Sequence, residues 1–160
     1  MQNLISIAEV IARLLRERRE TVAVAESSTG GLVSAALLAV PGASDYFLGG
    51  AIVYTLEARR TLLAIPDEAV RGMRAATEPY VTLGARTIRE RLGATWGIAE
   101  SGATGPTGNR YGDAPGHTAI AVSGRVERAT TIETGRSDRV ENMDVFATAV
   151  LRVLREVLEG

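Results

Sequence analysis

The chain is predicted to fold as a three-layer α/β/α unit around a mixed, mostly parallel sheet of about five strands. Three observations lead there. Short apolar runs rich in β-branched or small residues, TVAVA (21–25), GGAIVY (49–54) and WGIAES (96–101), read as core strands. Segments with apolar residues at three- and four-residue steps separate them, as amphipathic helices would. Near the end, two strand-like runs, HTAIAVS and VERATTIET, follow each other across Ser123-Gly124-Arg125 in the manner of a hairpin.

Taken in order, Leu4, Ile7, Ala8, Ile11, Leu14 and Leu15 line one stripe of a first helix. TVAVA is the first buried strand. After ESSTGG, the run LVSAALLAV reads as a mostly buried helix stopped by Pro41-Gly42. GGAIVY is the second strand, and TLEARRTLLAI a helix running up to Pro66. PDEAVRGM reads as a short helix. Thr77, with Glu78 and Pro79 behind it, is placed to cap a helix through about Leu92. The third strand is followed by a 15-residue loop, GATGPTGNRYGDAPG, and then by the hairpin. Val140, Met143, Ala147, Val150, Leu151, Leu154 and Leu158 define a closing helix. No repeat, linker or low-complexity tract interrupts the pattern, so residues 1–160 read as one domain.

Composition narrows the chemistry. A net charge of -1 gives no field that would draw nucleic acid or an anionic membrane, and neither is expected as a partner. The first twenty residues lack the basic, apolar and small-residue regions of a signal peptide, and no apolar run approaches ~18 residues; a cytoplasmic location is expected. Absence of cysteine excludes disulfides, thiolate catalysis and Cys-ligated metals. All 18 basic residues are arginine. A P-loop lysine, a Schiff base and a Ser–Lys dyad are therefore impossible. His117 is the single histidine and reads as structural, so neither a metal nor a cofactor is expected.

Ligands of open α/β sheets bind beyond the carboxyl ends of parallel strands. Three polar clusters fall there: ESSTGG, YTLEARR and ESGATGPTGNRYGD. In ESSTGG, glycines ahead of a helix let backbone N–H groups approach a ligand. A hydroxyl at that place can bind phosphate, or attack a carbonyl with the N–H groups as an oxyanion hole. The plainer reading makes Ser28 or Thr29 a helix cap; Glu26, Ser27, Ser28 and Thr29 in one burst favour a site. GATGPTGN contains neither GK[ST] nor GxGxxG and alone reads as a turn, although its loop is long for a mere connection.

AESSTGG, GGAIVYTLEARRTLLAI and GATGPTG resemble the CinA C-terminal domain family, which includes stand-alone nicotinamide-nucleotide amidohydrolases of the PncC type. The resemblance runs from about residue 4 to 158 and implies the same α/β/α fold. It implies conversion of nicotinamide mononucleotide to nicotinic acid mononucleotide and ammonia, with a small-molecule nucleotide as ligand and a homo-oligomeric state. Residue by residue, Ser27 falls on the nucleophile and Tyr54 on the tyrosine after the second strand. Glu26, Thr29, Gly30, Gly31, Arg139 and the loop residues Gly102, Ala103, Thr104, Gly105 and Gly108 fall on substrate-binding segments. The family's catalytic lysine falls on Arg59, a permanent cation that cannot take a proton from Ser27. SDRVENM keeps Arg139 but has Met143 where a later arginine stands in the family, and NRYGDAPGH rewrites the third loop.

Three functions compete on these residues. The first is a nicotinamide-nucleotide amidase, with Ser27 as nucleophile, N–H groups near Thr29 to Gly31 as the oxyanion hole, and Tyr54 as base, its tyrosinate stabilised by Arg59. The second is a nucleotide-binding module without a catalytic base. The third is another hydrolase using Glu26, Glu100 or Asp113 as base.

Overall fold

Alternating strand and helix patterns become alternating strands and helices. A computed structural model describes residues 1–160. Its elements are helix α1 (Gln2–Arg18), strand β1 (Val22–Glu26), helix α2 (Leu32–Leu38), strand β2 (Phe47–Ile52), helix α3 (Leu56–Leu62), helix α4 (Glu78–Leu92), strands β3 (Trp96–Ala103), β4 (His117–Ser123) and β5 (Glu127–Glu133), and helix α5 (Arg139–Glu159). The sheet order is β2-β1-β3-β4-β5. β1 is parallel to β2 and β3, whereas β4 is antiparallel to β3 and β5. Four strands thus run one way and β4 runs back, which is the mixed sheet expected.

Side-chain parity along the strands sorts the layers. Val22, Val24, Trp96, Ile98, Ile120 and Val122 join the larger core, under α1, α2 and α5. The residues between them, Ala23, Ala25, Ala99, Ala119 and Ala121, join a second core with Val81, Ala85 and Ile88 of α4. Large residues on one face hold a three-helix layer off the sheet; small residues on the other let α4 lie close. Gly97 marks the limit of that approach, because a Cβ there would stand 2.0 Å from the carbonyl oxygen of Ala85.

Several boundaries move for packing reasons. β2 begins two residues before the expected strand, with Phe47 paired opposite Val22. α3 ends at Leu62 instead of running to Pro66, because Leu63 and Ile65 turn into the second core around Ala64 at φ +54. The expected helix at Pro66–Met73 is a 3₁₀ turn over Asp67–Val70. Thr77 holds the N-cap position of α4, but its hydroxyl donates back to the Arg74 carbonyl at 2.6 Å instead of capping. Thr55 and Asp138 do cap, accepting from the N–H groups of Ala58 (3.0 Å) and Glu141 (2.8 Å). No helix is long and apolar enough to cross a membrane.

Candidate functional site

The carboxyl ends of β1, β2 and β3 meet at one edge of the sheet, and the parity that sorts the core also sorts the end of β1. Glu26 continues the side of Val22 and Val24, toward α2. Ser27 continues the side of Ala23 and Ala25, toward α4. The Glu26 carboxylate is 1% exposed and wraps the start of α2. It accepts from the N–H groups of Gly31 (3.1 Å), Val33 (3.0 Å) and Ser34 (2.9 Å), and from the hydroxyls of Thr29 (2.8 Å) and Ser34 (2.6 Å). The expectation of Ser28 or Thr29 as cap is therefore corrected. Gly31, at φ +100, holds the N-cap position and the capping oxygens come from Glu26.

A second carboxylate, Glu100 of β3, closes over the same turn. It accepts from the N–H groups of Ser27 and Thr29 (3.1 Å each), from the hydroxyls of Thr29 and Thr118 (3.0 Å each), and from that of Ser28. Burial pushes its pKa above the ordinary carboxylate value, and the donated hydrogen bonds oppose that shift without cancelling it. These contacts overturn two expectations. The N–H groups of Thr29 and Gly31 are committed to carboxylates and that of Gly30 to the Ser27 carbonyl at 3.2 Å, so they form no open oxyanion hole. The same occupied donors leave no phosphate cradle at the start of α2. Glu26 and Thr29, expected as substrate contacts, are instead buried supports of the turn.

Ser27 is the exception within this turn. The Ser28 and Thr29 hydroxyls serve the carboxylates, whereas the Ser27 hydroxyl makes no hydrogen bond inside the protein. It faces a cleft of about 420 Å³ walled by Val53, Tyr54, Tyr80, Ser101, Asn109 and Tyr111. An adjoining cleft of about 220 Å³ shares Tyr54, Gly102 and Asn109 with it and is lined by Ala103, Thr104, Gly105, Gly108 and Arg139. The fold thus brings together Ser27, Tyr54, Arg139 and all five expected loop residues. Gly30 and Gly31 line neither cleft. Gly30 backs onto Met143, whose Cε would stand 3.0 Å from a Cβ placed there.

Arg59 does not meet Tyr54, contrary to expectation. α3 begins at Leu56, so Arg59 falls on its inward face and is 4% exposed. Its guanidinium pairs with the Asp67 carboxylate and lies beside Tyr80. Burial pushes the Tyr80 phenol above its ordinary pKa, with the Arg59 cation pulling it back. Tyr54, two residues past β2, is 61% exposed and receives a hydrogen bond from Arg139 Nη2 at 3.0 Å. Arg139 Nη1 donates to the Gly105 carbonyl at 2.6 Å.

Sequence reasoning passed over several of the residues that shape this cleft. Glu100 was considered only as a base, and its role as anchor depends on partners 71 to 73 positions away. Tyr80 sits in a segment that reads as a plain helix, whereas Asn109 and Tyr111 belong to the ESGATGPTGNRYGD cluster, in which neither stands out by residue type. His117 pins two walls: Nε2 lies 2.7 Å from the Ala76 carbonyl and 3.7 Å from Asp113, while Nδ1 meets Glu133. Burial works against its protonated form, but the Ala76 carbonyl, Glu133 and Asp113 outweigh it and raise the pKa. Asp113, the third carboxylate considered as base, is occupied by Asn109 Nδ2 at 2.8 Å. No three His, Asp or Glu side chains converge as metal ligands.

Comparison with known proteins gives a consistent pattern. The family model described as CinA C-terminal domain matches residues 4–158. A CinA-like protein of Salinibacter ruber is 34% identical over 154 residues, covering 96% of this chain and 37% of that protein. One from Prochlorococcus marinus is 48% identical over 119 residues, covering 74% of this chain and 28% of the relative. The chain thus spans about a third of the length of these relatives. Among solved structures, a competence-damaged protein (CinA) superfamily protein from Klebsiella pneumoniae superposes with a TM-score of 0.91 at 26% identity, covering 98% of each chain. A competence or damage-inducible protein from Enterobacter asburiae gives 0.90 at 28% identity, covering 97% of this chain and 98% of the other.

Proposed function

The chain belongs to the CinA C-terminal domain family, and from that premise we propose that it is a hydrolase of the nicotinamide-nucleotide amidase type, converting nicotinamide mononucleotide to nicotinic acid mononucleotide and ammonia through Ser27. One observation carries the reading. Of the three hydroxyls in ESSTGG, only that of Ser27 is free, and its backbone N–H is held by the buried Glu100. A nucleophile on a fixed backbone with an unengaged hydroxyl facing a cleft is what acyl transfer requires.

In this reaction Ser27 Oγ bonds to the carboxamide carbon, its proton passing to the Tyr54 phenolate oxygen, beside which the Arg139 guanidinium lies. The C–N bond then breaks as ammonia takes a proton back. Water cleaves the resulting ester to release the acid and restore Ser27. The ring lies in the larger cleft between Tyr54, Tyr80 and Tyr111, whose faces suit a planar heterocycle. The phosphate lies in the adjoining cleft, where Arg139, Thr104 and Thr107 offer a cation and hydroxyl donors.

A second reading has its own support. No base is hydrogen-bonded to Ser27 Oγ and Arg59 cannot act as one, which suits a nucleotide-binding module without turnover. Ammonia release from nicotinamide mononucleotide, measured beside ligand binding for wild type and Arg59→Lys, separates the two. The amidase reading expects release by the wild type and a higher rate in Arg59→Lys. Binding without ammonia in both proteins leaves the binding module.

A further inference from the structure

We propose that Arg59 makes the deep end of the cleft a carboxylate-reading subsite, so that the site holds the acid form of its nucleotide more tightly than the amide form. The identity of that nucleotide rests on the function proposed above; the preference for a carboxylate rests on Arg59 itself.

Arg59 is a permanent cation at 4% exposure, and its compensation is incomplete. Nη2 pairs with Asp67, but Asp67 is 59% exposed and also serves Arg60 at 2.9 and 3.0 Å. Nε of Arg59 is buried without a hydrogen bond, and the only other group beside the guanidinium is the neutral Tyr80 phenol. The Nε atoms of Arg16 and Arg155 also lack a hydrogen bond, but each lies 3.7 Å from a carboxylate, Asp45 and Glu159, and those side chains are 35% and 36% exposed. Only at Arg59 is the whole group enclosed. A cation enclosed in this way is poorly screened, so an anion arriving in the pocket beside it is attracted more strongly than at a hydrated surface.

Position gives that charge its use. Arg59 lines an inner pocket of about 30 Å³ together with Ser27, Tyr80, Ser101 and apolar residues such as Ala25 and Val81. Ser27, Val53, Tyr80 and Ser101 also line the 420 Å³ cleft, so the inner pocket is its deep end. A volume of 30 Å³ admits one oxygen-bearing group and excludes a ring. A ring in the outer cleft would therefore present only its substituent to Arg59. An amide offers one neutral oxygen; a carboxylate offers two and the opposite charge, in the geometry a guanidinium pairs with best. Glu100 also borders the pocket, and its oxygens already accept five hydrogen bonds from the turn after β1 and from Thr118, whose donors offset its charge.

Calorimetric titration of the Ser27→Ala protein, which removes turnover, tests the claim with nicotinic acid mononucleotide and nicotinamide mononucleotide as probes. The acid should bind roughly tenfold more tightly or better. Adding Arg59→Gln should bring the two affinities to within about twofold, and adding Arg59→Lys should retain the preference. Melting temperatures accompany each variant; if Arg59→Gln does not fold, the ratio in the Arg59-containing and Arg59→Lys proteins decides alone. Equal or inverted affinities with Arg59 in place overturn the proposal, as does a preference that survives Arg59→Gln. If neither mononucleotide binds, the nucleotide reading fails instead, and free nicotinate against nicotinamide replaces the pair, with the same ratios deciding and absence of a carboxylate preference again overturning it.

Discussion

The hydroxyl of Tyr54, just past β2, lies 3.0 Å from Nη2 of Arg139, the first residue of α5, across 85 positions of sequence. The other end of that guanidinium holds the Gly105 carbonyl, so a single arginine ties the second strand end, the third-strand loop and the closing helix together. Arg139→Ala should widen the smaller cleft and remove its cation. Mononucleotide affinity should fall roughly tenfold, with the melting temperature moving by only about 2 °C because the side chain is exposed. Unchanged affinity by calorimetry would remove Arg139 from the ligand site.

Ser27 and Ser28 are adjacent and chemically identical, yet their hydroxyls have different duties. Ser27→Ala should abolish turnover with binding and stability near normal. Ser28→Ala should leave activity largely intact and cost ~1 to 2 kcal/mol, because the buried Glu100 loses one of its five donors. Denaturant unfolding and an ammonia assay on the two proteins check this together. A Ser27→Ala protein that still turns over would dispose of the nucleophile.

Glu26 should matter to folding more than any hydroxyl of the turn. Glu26→Ala strands the N–H groups of Gly31, Val33 and Ser34 at a buried helix start. About 3 kcal/mol or more of stability should be lost, with Glu26→Gln intermediate because one amide oxygen can still accept. A loss below about 1 kcal/mol in chemical denaturation would show that the turn re-caps itself.

Far from the site, Glu127 of β5 is held by Arg86 of α4, with Nε at 2.6 Å, and by the Ser123 hydroxyl at 2.9 Å. The Arg86 hydrogen bonds push its pKa down from 4.5 to about 2. A depressed carboxylate pKa means that the unfolded chain takes up the proton first as pH falls. The contribution is thus present above the ordinary carboxylate value and disappears as pH drops toward about 2. Glu127→Gln should lower stability at neutral pH and flatten its pH dependence in that window, as read by denaturation at a series of pH values. Partial exposure keeps the effect small, and an identical acid slope in the variant would show that the pair contributes nothing there.

What sequence alone determined about this protein is the order of its elements and the place of its polar turns, because both are local. TVAVA alternates large and small residues over five positions, and that alternation assigns each residue to a core face and sends Ser27 toward the cleft. The hairpin at Ser123-Gly124-Arg125 is equally short-range, whereas Thr77, which reads as a cap, gives its hydroxyl to the Arg74 carbonyl instead. Even so, α3 overran its true end, since Leu63 and Ile65 look like a helix face until α4 is there to receive them. Who donates to whom was decided only by the tertiary structure. Parallel pairing sets Ser27 beside Glu100, 73 positions away, and the approach of α5 sets Arg139 on Tyr54. Whether an N–H group is open to a ligand depends on which carboxylate has reached it first. That choice is made by burial, where leaving either partner unpaired costs more than bringing distant segments together.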